Sequence, residues 1–319
     1  VTASAERAAH TPVLLVEALA ALAVRPDGCY LDATFGRGGH AAAILERLIG
    51  AGRLVCLDRD ADAIAHGRAR FGADPRVTFI VAPFSTLAAC ADRAQQNLAF
   101  DGILFDLGVS SPQLDDAERG FSFMQDGPLD MRMSSGVGPC AADVVNGATE
   151  RELVRIFRDF GEERHAPKIA RAIVADRKAA PFERTLQLAE MIARVSPSRD
   201  RHKHPATRVF QALRIHVNDE LREIELGLDA ALGRLLPRGR LVVISFHSLE
   251  DRIVKRFMRR HSLADPMYAG LPDMPASARP SLRLVGKPIA AGAEESLRNP
   301  RARSARMRVA ERIDRTLAA

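Results

Sequence analysis

The sequence predicts an α/β fold, a doubly wound parallel sheet with a small helical domain inserted into it. Three observations predict it. Short apolar runs alternate with helix-like stretches through the first hundred residues, the pattern of parallel strands covered on both faces. The rhythm stops after Asp106 and resumes near Arg240. Amphipathic segments at helical spacing fill the interval.

Taken in order, residues 29–33 read as a strand and 39–48 as a helix, 53–57 as a strand and Ala61–Phe71 as a helix. Val77–Val81 reads as a strand ending near Pro83, and 102–105 as a fourth. The interval then offers three helices. Residues 150–160 align Leu153, Phe157 and Phe160, with Thr149 and Glu152 as a capping box. Residues 167–178 align Ile169, Ile173 and Val174, and residues 184–195 align Leu188, Ile192 and Val195. Phe210, Leu213, Val217, Leu221, Ile224, Leu228 and Leu235 then form one stripe, which predicts a single helix over 205–236 that stops at Pro237-Arg-Gly239. Residues 240–246 read as a strand and 250–260 as a helix, with Ser248 and Asp251 as its expected capping box. Two further strands are expected at 282–285 and 307–310. The expected division is a first sheet segment over 1–133, a helical insert over 134–215, and a second sheet segment with a basic C-terminal arm over 216–319.

At 47% hydrophobic content the 319 residues can bury a full core. No run of about 20 apolar residues offers a membrane-spanning helix, and residues 1–10 lack the apolar centre of a signal peptide. Cys29, Cys56, Cys90 and Cys140 are far apart and make no Cys-x-x-Cys, so they read as reduced residues of a cytoplasmic protein. No metal site is expected, because His202-Lys-His204 lacks a third ligand at metal-site spacing. The net charge is +6. Residues 149–214 hold fifteen basic against nine acidic residues, and residues 279–319 hold ten against four. Two basic regions point to a polyanion, most directly nucleic acid.

The chemistry is carried first by Asp32-Ala-Thr-Phe-Gly-Arg-Gly-Gly-His40. Asp32 ends the first strand, where open α/β sheets bind ligands. Gly36, Gly38 and Gly39 permit a tight turn and close backbone approach. Asp58 ends the second strand 20 residues after Gly38 and suits the ribose hydroxyls of an adenosine. Gly36-Arg37-Gly38-Gly39-His40-Ala41 also fits the dinucleotide pattern, so NAD competes. Two details favour S-adenosylmethionine. Asp32 suits an ammonium and would repel a pyrophosphate, and a third acid, Asp106, ends the fourth strand. A sulfonium with an ammonium group matches three carboxylates better than a dinucleotide does.

Asp106-Leu-Gly-Val-Ser-Ser-Pro-Gln113 supplies candidates for the acceptor side. An exocyclic amine on a base is a poor nucleophile, since its lone pair is delocalised into the ring. Oriented acceptors and proximity can overcome that. Asp106, Ser110, Ser111 and a carbonyl freed by Pro112 are the candidate catalytic groups. Phe121 and Phe123 are the nearest aromatics for stacking a base, and Asp130-Met-Arg132 fits either a base edge or an internal ion pair. A non-catalytic RNA-binding assembly factor stays open on these residues alone.

The motifs together resemble the bacterial MraW/RsmH family. They are Thr34-Phe-Gly-Arg-Gly-Gly-His40, Asp106-Leu-Gly-Val-Ser-Ser-Pro-Gln-Leu-Asp-Asp116, Gly127-Pro-Leu-Asp-Met-Arg132, His204-Pro-Ala-Thr-Arg208 and Ser245-Phe-His-Ser-Leu-Glu-Asp251. The likeness runs from His10-Thr-Pro-Val-Leu-Leu15 to the arginine-rich end. It implies a Rossmann-like methyltransferase sheet and transfer of a methyl group from S-adenosylmethionine to cytosine N4 in the decoding region of ribosomal RNA, on the small ribosomal subunit. It implies a cofactor site of Gly38, Gly39, His40, Asp58, Phe84, Asp106 and Gln113. Thr34 stands where the general methyltransferase loop has its first glycine, and Ser-Ser-Pro-Gln lacks the aromatic end seen in amino-methylating DNA enzymes.

Overall fold

A computed structural model of the chain describes residues 12–94, 98–196, 204–268, 275 and 278–314. The polar start at 1–10 and the pair His202-Lys203 lie outside the described residues. The described part divides into two compact units, one of Val1–Gly108 with Glu223–Ala319 and one of Val109–Arg222.

The first unit is built on an eight-stranded sheet. Its strands are β1 (Cys29–Asp32), β2 (Arg53–Asp58), β3 (Val77–Val81), β4 (Phe100–Asp106), β5 (Leu235–Ser245), β6 (Leu282–Leu284), β7 (Ile289–Ala290) and β8 (Arg306–Arg312). The order is β3-β2-β1-β4-β5-β8-β6, with β7 also on β8. β1 to β5 pair in parallel, whereas β8 runs antiparallel to β5 and β6. Leu31, Ile103, Leu104, Val242 and Val243 are buried, which is why these strands read as continuous apolar runs. The chain leaves β1 toward β2 and returns to β4 on β1's other side. The carboxyl ends of β1 and β4 therefore flank the switch point where such sheets bind ligands.

The helices of this unit are α1 (Leu15–Leu22), α2 (Gly39–Leu45), α3 (Ala61–Phe71) and α4 (Leu87–Ala94). In the second unit follow α5 (Ser111–Asp115), α6 (Ala141–Gly147), α7 (Glu150–Asp159), α8 (Ala166–Asp176), α9 (Thr185–Val195) and α10 (Thr207–Asn218). Then come α11 (Glu220–Arg234), which begins in the second unit, α12 (Ser248–Ser262) and α13 (Ala293–Arg298). α3 and β3 have the predicted bounds. The capping box of α7 forms, with Thr149 N donating to Glu152 Oε2 at 2.8 Å and Glu152 N to Thr149 Oγ1 at 3.3 Å. The second unit's core gathers Leu153, Phe157, Ile169, Ile173, Leu188 and Ile192 with Phe121, Leu129, Met131 and Met133.

Three expectations are corrected. The single helix over 205–236 is two helices, α10 and α11, separated at Asp219, whose φ is +50°. Asn218, the last residue of α10, ties the helix end to a loop through its side-chain amide. Its Oδ1 accepts from Met133 N at 2.8 Å, and its Nδ2 donates to Met131 O at 2.7 Å. The cap of α12 is His247 with Glu250 rather than Ser248 with Asp251, since the helix starts at Ser248 itself. Asp251 instead takes Arg308, at 2.7 and 2.9 Å. Pro237-Arg-Gly239 does not end a helix. It forms an irregularity inside β5, whose pairing with β4 jumps from Leu235 to Arg240, with Arg238 at φ +66°.

Candidate active site

Three carboxylates end three neighbouring strands: Asp32 on β1, Asp58 on β2 and Asp106 on β4. The loop after β1 is pinned among them. Asp32 Oδ1 accepts from Thr34 N at 3.2 Å, and Asp58 Oδ2 accepts from Gly36 N at 2.8 Å. Thr34 Oγ1 in turn accepts from Asp106 N at 2.6 Å. Asp58 Oδ1 accepts from Asp60 N at 2.9 Å, so both of its oxygens already hold backbone. Phe35 anchors the turn from below, with its ring edge-on to Phe71 and Phe79.

The glycines have steric reasons. Gly38 has φ +72°, and a Cβ there would lie 2.6 Å from the Phe35 ring. A Cβ on Gly39 would lie 2.2 Å from Pro12 Cγ. The segment before α1 is thus folded against the loop, and Val13 O meets His40 Nε2 at 3.2 Å.

Burial sets the charge states. It pushes Asp32 up to about 7, with Asp58 adding to the effect. It pushes Asp58 up to about 6. Asp106 rises well above the ordinary carboxylate range, through burial first and then Asp32 and Glu250. Burial presses His40 down to about 4. A neutral His40 must donate from Nε2 to the Val13 carbonyl, which leaves the Nδ1 lone pair facing Asp106 Oδ2 at 3.5 Å. A proton on Asp106 satisfies that contact. Asp106 Oδ1 is buried without a hydrogen-bond partner. A buried, unsatisfied acceptor among crowded carboxylates is a site for a cation with N–H donors. It disfavours a pyrophosphate.

Phe84 follows β3 and is half-buried, with its ring edge-on to Phe105 at 5.6 Å. Within the first unit, therefore, Gly38, Gly39, His40, Asp58, Phe84 and Asp106 all lie in the β1–β4 half of the sheet and the loops that follow its strands.

Ser110, Ser111 and Gln113 open the second unit, at the start of α5. Ser110 caps the helix, and its N donates to Gln113 Oε1 at 2.9 Å, which uses the buried Gln113 amide locally. The carbonyls of Ser110 and Pro112 accept from Leu114 N and Asp116 N, so neither is a freed acceptor. Phe121 is core. Phe123 is half-buried, 4.7 Å from His204 and from Phe210. Asp130 and Arg132 form an internal ion pair at 2.6 Å.

Three contributors escaped the sequence reading as participants. Thr34 belongs to a motif of the resemblance but carries no role there, and Val13 acts through its carbonyl, which no side-chain pattern signals. Glu250 is fully buried, with Oε2 accepting from Phe246 N at 2.7 Å. Its place in Ser245-Phe-His-Ser-Leu-Glu-Asp251 was the one available signal. The four cysteines are free thiols, and no helix among the described residues is long and apolar enough to cross a membrane.

Comparison with known proteins gives a consistent result. A family model described as the MraW methylase family matches residues 7–313. Ribosomal RNA small subunit methyltransferase H of Idiomarina loihiensis is 55% identical over 306 residues, covering 95% of this chain and 97% of that protein. The protein of the same name from Thioalkalivibrio sulfidiphilus is 55% identical over 306 residues, 96% of this chain and 98% of its own length. Among solved structures, an rRNA methylase from Streptococcus thermophilus aligns over 98% of this chain and 100% of its own, at 10% identity and a TM-score of 0.40.

Proposed function

Since the chain belongs to the MraW methylase family, we propose that it transfers a methyl group from S-adenosylmethionine to the N4 amine of a cytidine in the decoding region of small-subunit ribosomal RNA. It is a methyltransferase, and ribosomal RNA is its class of substrate. The NAD alternative raised by the glycine pattern is set aside by the family and by the carboxylates lining the loop. The observation that carries the reading is Asp106, a half-buried carboxylate at the switch point whose Oδ1 is buried and unsatisfied.

S-adenosylmethionine, when bound, supplies an electrophilic methyl on a sulfonium. Gly38 and Gly39 would let backbone approach it, Asp58, Asp106 and His40 would hold it, and Phe84 would be an apolar neighbour for its adenine. Asp106 accepts a hydrogen bond from the target amine and orients its lone pair. Forming the N–C bond would break the methyl–sulfur bond, whose electron pair stays on the departing sulfur, and the amine would shed one proton. With the cationic cofactor bound, Asp106 would be ionised, and in that state it is the acceptor that would take this proton and pass it to solvent. Ser110 and Ser111 are the proposed catalytic groups besides Asp106. Gln113 remains a proposed cofactor residue, and its Oε1 also holds Ser110 N at 2.9 Å.

The test is transfer of labelled methyl from S-adenosylmethionine into undermethylated small ribosomal subunits, with naked RNA alongside and nucleoside mass spectrometry of the product. The expected product is N4-methylated cytidine in the subunit sample. Label on another base or another atom overturns the target assignment, and no label in either sample overturns the substrate.

A further inference from the structure

α12 leaves the carboxyl end of β5, whose Ile244 is in register with Asp106. It therefore starts at the edge of the sheet that holds the candidate site and runs back along the flank formed by β5, β8 and β6. Arg252, Lys255, Arg256, Arg259 and Arg260 are all exposed on it. At 3.6 residues per turn they fall within an arc of about 140°, while Ile253, Val254, Phe257 and Met258 face the core.

Local chemistry does not neutralise the middle of this ridge, Lys255, Arg256 and Arg259. The two acids of α12 are Glu250, which is buried and caps the helix, and Asp251, which faces Arg308 at 2.7 Å and Arg306 at 3.7 Å. Arg260 meets Asp229 at 3.3 Å. Among the described residues no acid is placed against Lys255, Arg256 or Arg259. The helix dipole accounts for cations in the last turn, at Arg259 and Arg260. It does not account for Arg252, Lys255 and Arg256 in the first two and a half turns. Pairs four apart, Arg252 with Arg256, Lys255 with Arg259 and Arg256 with Arg260, repel one another. A helix that keeps Lys255, Arg256 and Arg259 on one exposed face, with no acid set against them among the described residues, points to counter-charges outside the chain. Charge counts along the sequence hide the ridge, because α11 contributes Glu223, Glu225 and Asp229 just before it.

We propose that this face of α12 is a docking surface for the phosphate backbone of the ribosomal RNA substrate, leading away from the edge that carries Asp106. The identity of the polyanion rests on the proposed function, while the surface itself rests on the geometry of α12. Phosphate contacts position without reading sequence, which suits a helix that carries cations and no base-reading amides along this face.

The experiment compares wild type with the triple variant Lys255→Gln, Arg256→Gln, Arg259→Gln, in the full chain. A control triple variant, Arg47→Gln, Arg53→Gln, Arg68→Gln, removes the same charge from exposed arginines elsewhere. Binding to undermethylated small subunits is measured against salt, without cofactor. The α12 variant should lower the slope of log affinity on log salt by about 2 and weaken binding about tenfold at low salt. S-adenosylmethionine affinity and melting temperature should hold. An unchanged slope, or an equal drop in the control, overturns the proposal. So does loss of binding to phosphatidylserine vesicles with subunit binding intact, which would assign the face to lipid. A wild type that binds subunits but transfers no methyl overturns the proposed function instead, and the slope comparison still decides α12.

Discussion

At the scale of residues, the site is a problem in proton accounting. Asp32 and Asp58 sit at about 7 and about 6 in the folded protein against an ordinary 3.8. Each binds its proton more tightly folded than unfolded. Their contribution to stability is fully present below about pH 4 and is lost as pH rises through 6 and 7. His40 works the other way. With a folded value of about 4 against 6.5, its contribution grows between those values and is complete above them. Above pH 6.5 the carboxylates act unopposed, so the cofactor-free protein should lose melting temperature as pH rises toward 8. A bound sulfonium and ammonium favour the ionised carboxylates, so the rise in melting temperature caused by S-adenosylmethionine should grow over the same range. Asp32→Asn should flatten part of the cofactor-free slope. A cofactor-induced shift that is constant from pH 6 to 8 would mean the carboxylates do not hold the cation.

At the scale of elements, the break between α10 and α11 is the point where local preference and tertiary demand part. Asp219 holds a left-handed backbone, which costs roughly 1–2 kcal/mol for a residue with a Cβ, and less for Asp. Asp219→Gly should keep or raise stability, by up to about 1 kcal/mol, whereas Asp219→Val should lower it by roughly 1–2 kcal/mol. Urea midpoints of the two variants give the comparison, and a Val variant as stable as wild type would show that the break relaxes into continuous helix. The sequence hid this break because Leu213, Val217, Leu221 and Ile224 keep helical spacing straight through it. α10 ends at the left-handed Asp219, and Asn218 beside it is held by Met131 and Met133, more than eighty positions away. Ala61–Phe71 and Val77–Val81 were legible to the residue, since their periods and end signals are local. The same distinction holds in the site. Asp32, Asp58 and Asp106 were legible as strand ends. The Val13 carbonyl on His40 was not, since a contact across the fold leaves no local period. Nor did the expected freed carbonyl in Ser-Ser-Pro-Gln survive, because Pro112 falls in the first turn of a helix, where the backbone is already committed.

At the scale of the whole molecule, the C-terminal residues are both charge and scaffold. A cut after Arg298 removes the cations Arg301 and Arg303, and it also removes β8, which lies between β5 and β6. Met307 and Ala310 there are fully buried and Val309 nearly so. Losing them, with the ladder on Val242 and Val243, costs on the order of 5 kcal/mol or more, comparable to the whole stability of a typical domain. The truncated chain should therefore melt without a cooperative transition in circular dichroism. A wild-type melting curve would show that the sheet closes without its last strand. The place of β8 also bears on synthesis. Strands β1 to β5 leave the translating ribosome first, and β5 meets them with its outer edge still bare. Unpaired apolar edges are the surfaces on which nascent chains stick to one another. That edge is covered only when residues 306–312, a few positions from the end of this sequence, have been made. For as long as translation takes to cross from Ser245 to Arg312, the growing protein carries an open seam that only its own tail can close.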